Sequence, residues 1–241
     1  MPRKTVNNLN TTYDSENQYE IGIDEAGRGP LFGRLYVAAC VLPKEQGFHH
    51  EWMRDSKKIH SRTKMKELAQ YIKMNSPAWY IHYVEPDAID TMNIRQAVLM
   101  AMHECAKQVI DKLSAIKQSE TKPATEYLRK YMLFVDGNDF TPHMTFNEDT
   151  QTLEEIPFET IEGGDNTYTF IAAASILAKN ERDTYIEELC EKYPILNERY
   201  HLAKNMGYGT QHHRDGIDKW GITQWHRKSY GMCKNATFNK I

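Results

Sequence analysis

The chain has 241 residues, 40% of them apolar, with 30 Lys and Arg against 33 Asp and Glu for a net charge of −3. That length and apolar share suit one substantial domain with a filled core, and the slight acidity excludes a protein coated in positive charge, so any nucleic-acid binding must rest on local patches. No run reaches the roughly 18 apolar residues of a membrane helix, and Cys40, Cys105, Cys190 and Cys233, lacking any Cys-x-x-Cys pair, argue against a zinc site or a disulfide framework and for a reducing, cytoplasmic setting.

Residues 1–17 are polar and Asn-rich and are expected to form a flexible tail. Residues 18–24 alternate loosely into a strand that ends on Asp24-Glu25, and Leu35–Leu42 is an apolar run stopped by Pro43, so these two strands are expected to form a hairpin. A basic patch follows, with Arg54, Lys57, Lys58, Arg62, Lys64 and Lys66 against Asp55 alone. Apolar spacing over 64–74 predicts a helix, Ala78–Val84 a strand, and Asn93–Ala115 a long amphipathic helix with Asn93 as its N-cap. Residues 117–126 read as a linker. Tyr131–Val135 is another apolar strand running into an acid and a glycine, Asp136-Gly137-Asn138. Residues 139–155 read as a polar, acidic connection, 156–161 as a short strand leading to Gly163-Gly164-Asp165, and 170–191 as a helix closed by Pro194. Beyond it lie short helices and loops dense in His, Tyr, Trp, Lys and Arg. The order predicts an α/β fold, a mixed central sheet flanked by helices, with domain boundaries at 1–17, 18–191 and 192–241.

Asp24, Glu25, Asp136 and Asp165 each stand at a predicted strand end or in the turn into a helix, where neighbouring strands can gather distant acids. Gathered carboxylates repel one another unless cations compensate them, and two hard divalent ions would bind such a set and clamp a phosphate, which points to phosphodiester hydrolysis. The competing reading makes these acids ordinary turn residues, with Asp24-Glu25-Ala26-Gly27 closing a hairpin. Lys179, on the helix after Asp165, either faces the acids or a phosphate or is a solvated lysine. Tyr208, between two glycines, offers a flat ring for a sugar or base, or anchors a core. His212, His213 and His226 are read as loop and packing residues, because imidazole suits an oxygen-rich site for magnesium or manganese less well than carboxylate does.

Gly22-Ile23-Asp24-Glu25-Ala26-Gly27-Arg28-Gly29-Pro30, Asp55-Ser56-Lys57-Lys58, Ile89-Asp90 with Asn93-Ile94, Val135-Asp136-Gly137-Asn138, Gly164-Asp165, Ile171–Lys179 with Arg182-Asp183, and Gly207-Tyr208-Gly209-Thr210 together resemble the ordered motifs of bacterial-type ribonuclease HII over about residues 20–230. The resemblance implies a ribonuclease H-like fold with a C-terminal helical segment. It also implies an endonuclease dependent on two magnesium or manganese ions that cuts RNA-DNA hybrids and single ribonucleotides in duplex DNA, in DNA replication and repair. By the same resemblance Asp24, Glu25, Asp136 and Asp165 are the catalytic, metal-binding acids. Gly27, Arg28 and Gly29 sense the ribose 2′-hydroxyl, Tyr208 packs on the adjoining deoxyribose, and Lys57, Asn138 and Lys179 complete the substrate contacts.

Three positions depart from the family's pattern: Gly163 stands for a basic residue, Asn205-Met206 for His-Lys, and Arg34 for Pro. The lost contacts at 163 and 206 are expected mainly to weaken phosphate affinity and its salt dependence, with Arg34 or other basic residues as substitutes. A monomer is expected, since no leftover apolar face is obvious, and recruitment by a sliding clamp stays open. The alternatives are a non-catalytic nucleic-acid-binding relative, which would bind duplex without cutting it, and a two-metal nuclease preferring long hybrids.

Overall fold

The computed structural model describes residues 9–116, 130–147 and 151–241; the expected linker over 117–126 lies outside the described residues. Strands Tyr19–Ala26 (β1), Leu35–Val41 (β2), Ala78–Val84 (β3), Tyr131–Asp136 (β4) and Phe158–Ile161 (β7) form one sheet in the order β3-β2-β1-β4-β7. β1, β4 and β7 run parallel. The residues between β1 and β2 are too few for a parallel crossover, which needs a dozen or more, so those neighbours are antiparallel and the sheet is mixed.

The chain makes two compact units, 1–24 with 38–81 and 102–177, and 25–37 with 82–101 and 178–241. In the first, helix Arg62–Asn75 (α1) buries Met65, Leu68, Ala69 and Ile72, one face at helical spacing, and starts where the Ser61 hydroxyl accepts the Lys64 N–H. Gly22 is dictated by packing. A Cβ there would lie 2.3 Å from the Phe170 carbonyl oxygen in the first turn of helix Thr169–Lys192 (α4), so only glycine lets that turn lie against β1. Of the flexible tail expected over 1–17, residues 1–8 lie outside the described residues, and residues 9–17 make backbone contacts. Asn10 pairs with Thr167 and Thr169 through the backbone, and buried Glu20 accepts the N–H groups of Tyr13 and Asp14 with Lys44 at 3.5 Å, which compensates its charge.

Two further expectations need correction. The connection over 139–155 contains an antiparallel pair, His143–Asn147 (β5) and Thr152–Ile156 (β6), in which Phe146 faces Leu153 and Met144 faces Glu155. The strand expected over 156–161 is cut at Pro157, which has no N–H to give a ladder, so Ile156 ends β6 and Phe158 begins β7.

Helix Pro86–Met92 (α2) precedes Ile94–Ile116 (α3), and Asn93 between them accepts the Gln96 N–H as the predicted N-cap. In the second unit, Pro194–Tyr200 (α5), Leu202–Asn205 (α6) and Gln211–Trp220 (α7) enclose Phe32, Ile186, Leu196, Tyr200, Leu202 and Ile217. Pro194 does not merely close α4; it opens α5 at the first helical position, where its missing N–H costs nothing. His213 and His226 are buried in this unit with Nε2 atoms 3.1 Å apart. His226 Nδ1 accepts the Thr223 N–H, so its Nε2 carries the proton and donates to His213, whose Nδ1–H donates to the Tyr208 carbonyl. Burial holds both rings below the usual imidazole range, and with each ring nitrogen engaged in a hydrogen bond the pair braces Tyr208.

Candidate active site

The register of β1 on β4 brings two predicted acids side by side. Ile23 pairs with Val135, and the next residue on each parallel strand is Asp24 and Asp136. β7 joins through Asp136 opposite Ile161, after which Gly163, at φ 66°, turns the chain back so that Asp165 returns to the same edge. Gly164 permits the approach: a Cβ there would crowd Ile171 at 2.6 Å and Asp136 Oδ1 at 3.4 Å. Carboxylate oxygens of Asp24, Asp136 and Asp165 lie within 4.8 Å of one another, with Asp24 and Asp165 buried.

Compensation inside the trio is incomplete. Asp136 Oδ1 accepts the Asp165 N–H at 3.3 Å, and Asp165 Oδ1 accepts Asn166 Nδ2 at 3.0 Å. Asp165 Oδ2 is buried with no hydrogen-bond partner. Lys57 approaches it at 3.8 Å, near enough to attract and too far to bond. The turn carrying Lys57 is anchored in turn. Buried Asp55 accepts the Lys57 N–H at 2.8 Å and Asn166 Nδ2 at 3.2 Å, Ser56 and Ser175 share a hydroxyl bond at 2.9 Å, and Lys58 reaches Asn166. Burial and the charges of Asp136 and Asp55 push the Asp165 carboxyl above its ordinary value. Burial lowers the Lys57 ammonium, but the four surrounding aspartates outweigh it and raise it overall.

An all-oxygen donor set around an unsatisfied buried oxygen fits a hard divalent cation. Asp24, Asp136 and Asp165 would hold it. Glu25, the next residue of β1, stands 3.8 Å from Arg28, beside the trio of converging carboxylates. A thermal test follows. Mn2+ or Mg2+ at about 100 times its dissociation constant should stabilise the chain by about 2.7 kcal/mol over chelator, and Asp165→Asn should remove most of that gain. Because Asp165 is raised, the metal-free chain gains stability as pH falls from above through that raised range, whereas metal needs the carboxylate. The metal-induced rise in Tm should therefore shrink over the same pH window; a shift independent of pH would contradict the assignment.

The other predicted residues are placed as follows. Asn138 Nδ2 donates to Glu162 at 2.7 Å. Lys179 is held by both Asp183 oxygens, at 2.6 and 2.7 Å, rather than standing free on its helix. Tyr208 is half exposed, with Gly29 beside its ring and the Arg182 guanidinium 5.7 Å from the ring centre. Arg34 is not available as a substitute phosphate contact: Glu85 takes its Nε and Nη2 at 2.9 and 2.6 Å, and it lies over the rings of Tyr83 and Tyr185 at 4.0 and 4.5 Å. Asn205 serves the turn before Tyr208, accepting the Gly207 N–H and donating to the Tyr200 carbonyl.

Two buried arginines, neither assigned a role from the sequence, hold backbone carbonyls. Arg182 donates to the carbonyls of Met206 and Phe32, and Arg227 to those of Gly27, Arg28 and Gly33. For Arg182 a signal existed, since Ala178, Arg182 and Ile186 share one helix face at four-residue spacing and both apolar members are buried.

Residues 21–233 match the family model described as Ribonuclease HII. The chain belongs to the ribonuclease HII family. A Parabacteroides distasonis ribonuclease HII is 38% identical over 220 residues, covering 91% of this chain and 94% of that one. Among solved structures, the RNase HII of the Archaeoglobus fulgidus PCNA:RNase HII complex superposes with a TM-score of 0.60 at 24% identity, over 88% of this chain and 95% of that one. Bst-RNase HIII in complex with Mn2+ does so at 0.58 and 15%, over 85% and 71%. The fold is thus the ribonuclease H-like α/β fold, and the chain is a ribonuclease H, a hydrolase acting as an endonuclease.

Proposed function

We propose that this ribonuclease HII hydrolyses the phosphodiester on the 5′ side of ribonucleotides, both in RNA-DNA hybrids and singly embedded in duplex DNA, leaving a 5′-phosphate and a 3′-hydroxyl. The buried, unbonded Asp165 Oδ2 among three converging carboxylates carries the reading. When bound, two Mg2+ or Mn2+ ions would supply an activated water and stabilise the leaving oxygen; the Mn2+ complex of the RNase HIII neighbour supports that choice of ion. Asp24, Asp136 and Asp165 hold the ions, with Glu25 as the fourth acid of the set.

Gly27, Arg28 and Gly29 read the 2′-hydroxyl, and Tyr208, half exposed beside Gly29, packs on the neighbouring sugar. Lys57 and Asn138 bind the backbone, and Lys179 retains one N–H of its three for a phosphate after bonding Asp183 twice. Residues 192–241 act as the substrate-binding helical segment. The PCNA complex of the Archaeoglobus relative supports a sliding clamp as partner in replication and repair.

The test is a labelled DNA duplex with one ribonucleotide, incubated with and without Mg2+. One metal-dependent cut 5′ of the ribonucleotide is expected. Binding without cutting would indicate a non-catalytic relative, and cutting confined to long hybrids would move the substrate class.

A further inference from the structure

The Gly27–Gly29 segment is held from behind by a side-chain clamp. Arg227, fully buried, donates Nη2 to the Gly27 carbonyl at 2.7 Å, Nη1 to that of Arg28 at 3.1 Å and Nε to that of Gly33 at 3.0 Å. Tyr230 Oη donates to the Arg28 carbonyl as well, at 3.0 Å, and also lies 3.3 Å from Arg227 Nη1. The clamp is itself fixed. The Arg227 N–H donates to Leu31, Tyr230 donates its N–H back to Arg227, and Asp90 accepts the N–H groups of Lys228 and Ser229 at 2.7 and 2.8 Å, plus the Ser229 hydroxyl.

In a trans peptide the N–H points opposite to its carbonyl, and no cis bond occurs among the described residues. Fixing the Gly27 and Arg28 carbonyls toward the clamp therefore directs the next two N–H groups, those of Arg28 and Gly29, away from it as successive donors. At Gly29 the approach is open: a Cβ would meet nothing nearer than Tyr208 at 3.9 Å. We infer that Arg227 and Tyr230 are positioning residues for sugar discrimination, orienting the Arg28 and Gly29 N–H groups toward the ribose 2′-hydroxyl without touching the nucleic acid themselves. This rests on the reading that the Gly27–Gly29 segment meets that hydroxyl.

The full chain, with metal, is assayed for KM on a duplex carrying one ribonucleotide and for Ki of the same-sequence all-DNA duplex as competitor; the ratio Ki/KM measures recognition of one hydroxyl. Tyr230→Phe removes a single oxygen and keeps the ring on Arg227, and should lower the ratio about threefold by raising KM with Ki unchanged. Arg227→Lys, losing the fork of donors, should lower it more than about tenfold. A merely structural role would raise KM and Ki together. That outcome, or an unchanged ratio in Tyr230→Phe, overturns the assignment; should Arg227→Lys fail to fold, Tyr230→Phe alone decides. A ratio near one in the unmodified chain would instead overturn the parent reading of the segment.

Discussion

Replacing Asp136 with Asn is expected to lower turnover by about three orders of magnitude or more while leaving duplex binding and the fold intact. Asp136 Oδ1 accepts the Asp165 N–H, and the Asn side chain keeps an oxygen for that bond, so the turn at Gly163–Asp165 is preserved. What disappears is one of three converging negative charges. Without metal those charges repel at close range, and Asp165 is already driven upward in pKa by burial and by Asp136. The substitution should therefore raise Tm in chelator while abolishing both the metal-induced rise in Tm and catalysis. A stabilised but inactive variant separates a metal site from a structural cluster, because loss of a structural acid would lower Tm. Near-normal turnover in Asp136→Asn would end the metal-site reading.

Asp24 and Asp136 were legible in the sequence for a specific reason. Asp24 ends a loosely alternating strand pattern and Asp136 an apolar one, and a charge at such an end must meet compensation. Asp165 was legible through the two glycines before it. The β5–β6 ribbon was not, because Glu154 and Glu155 give 152–156 the look of an acidic loop; Leu153 and Phe146 are exposed, so this ribbon rests on cross-strand pairing more than burial, and period-two hydrophobicity has little to report. Arg34 looked like a free cation because its partners, Tyr83, Glu85 and Tyr185, are distant in the chain. Burial of Arg227 is invisible for the same reason: every carbonyl it binds lies about two hundred positions earlier.

Gly27→Ala should be the most damaging substitution outside the acids, costing about 2–4 kcal/mol of stability and about a hundredfold in turnover. Two effects combine. Gly27 sits at φ 99°, and an added Cβ would lie 2.4 Å from Arg182 Nε, 2.6 Å from its Cδ and 3.0 Å from the Arg34 carbonyl. Arg182 cannot yield freely, since it is 1% exposed and donates to the Met206 carbonyl at 2.7 Å. It also packs under Gly207, where a Cβ would stand 3.3 Å from Nη2. Pushing Arg182 therefore shifts the turn that presents Tyr208 along with the Gly27–Gly29 segment, so one methyl disturbs both segments proposed to meet the nucleic acid. Gly47 isolates the strain from the clash: its φ is 118°, yet an added Cβ meets nothing within 4 Å. Gly47→Ala should cost only the backbone penalty, about 1 kcal/mol, with turnover unchanged. Equal losses of Tm in the two variants would show that the contact with Arg182 contributes nothing.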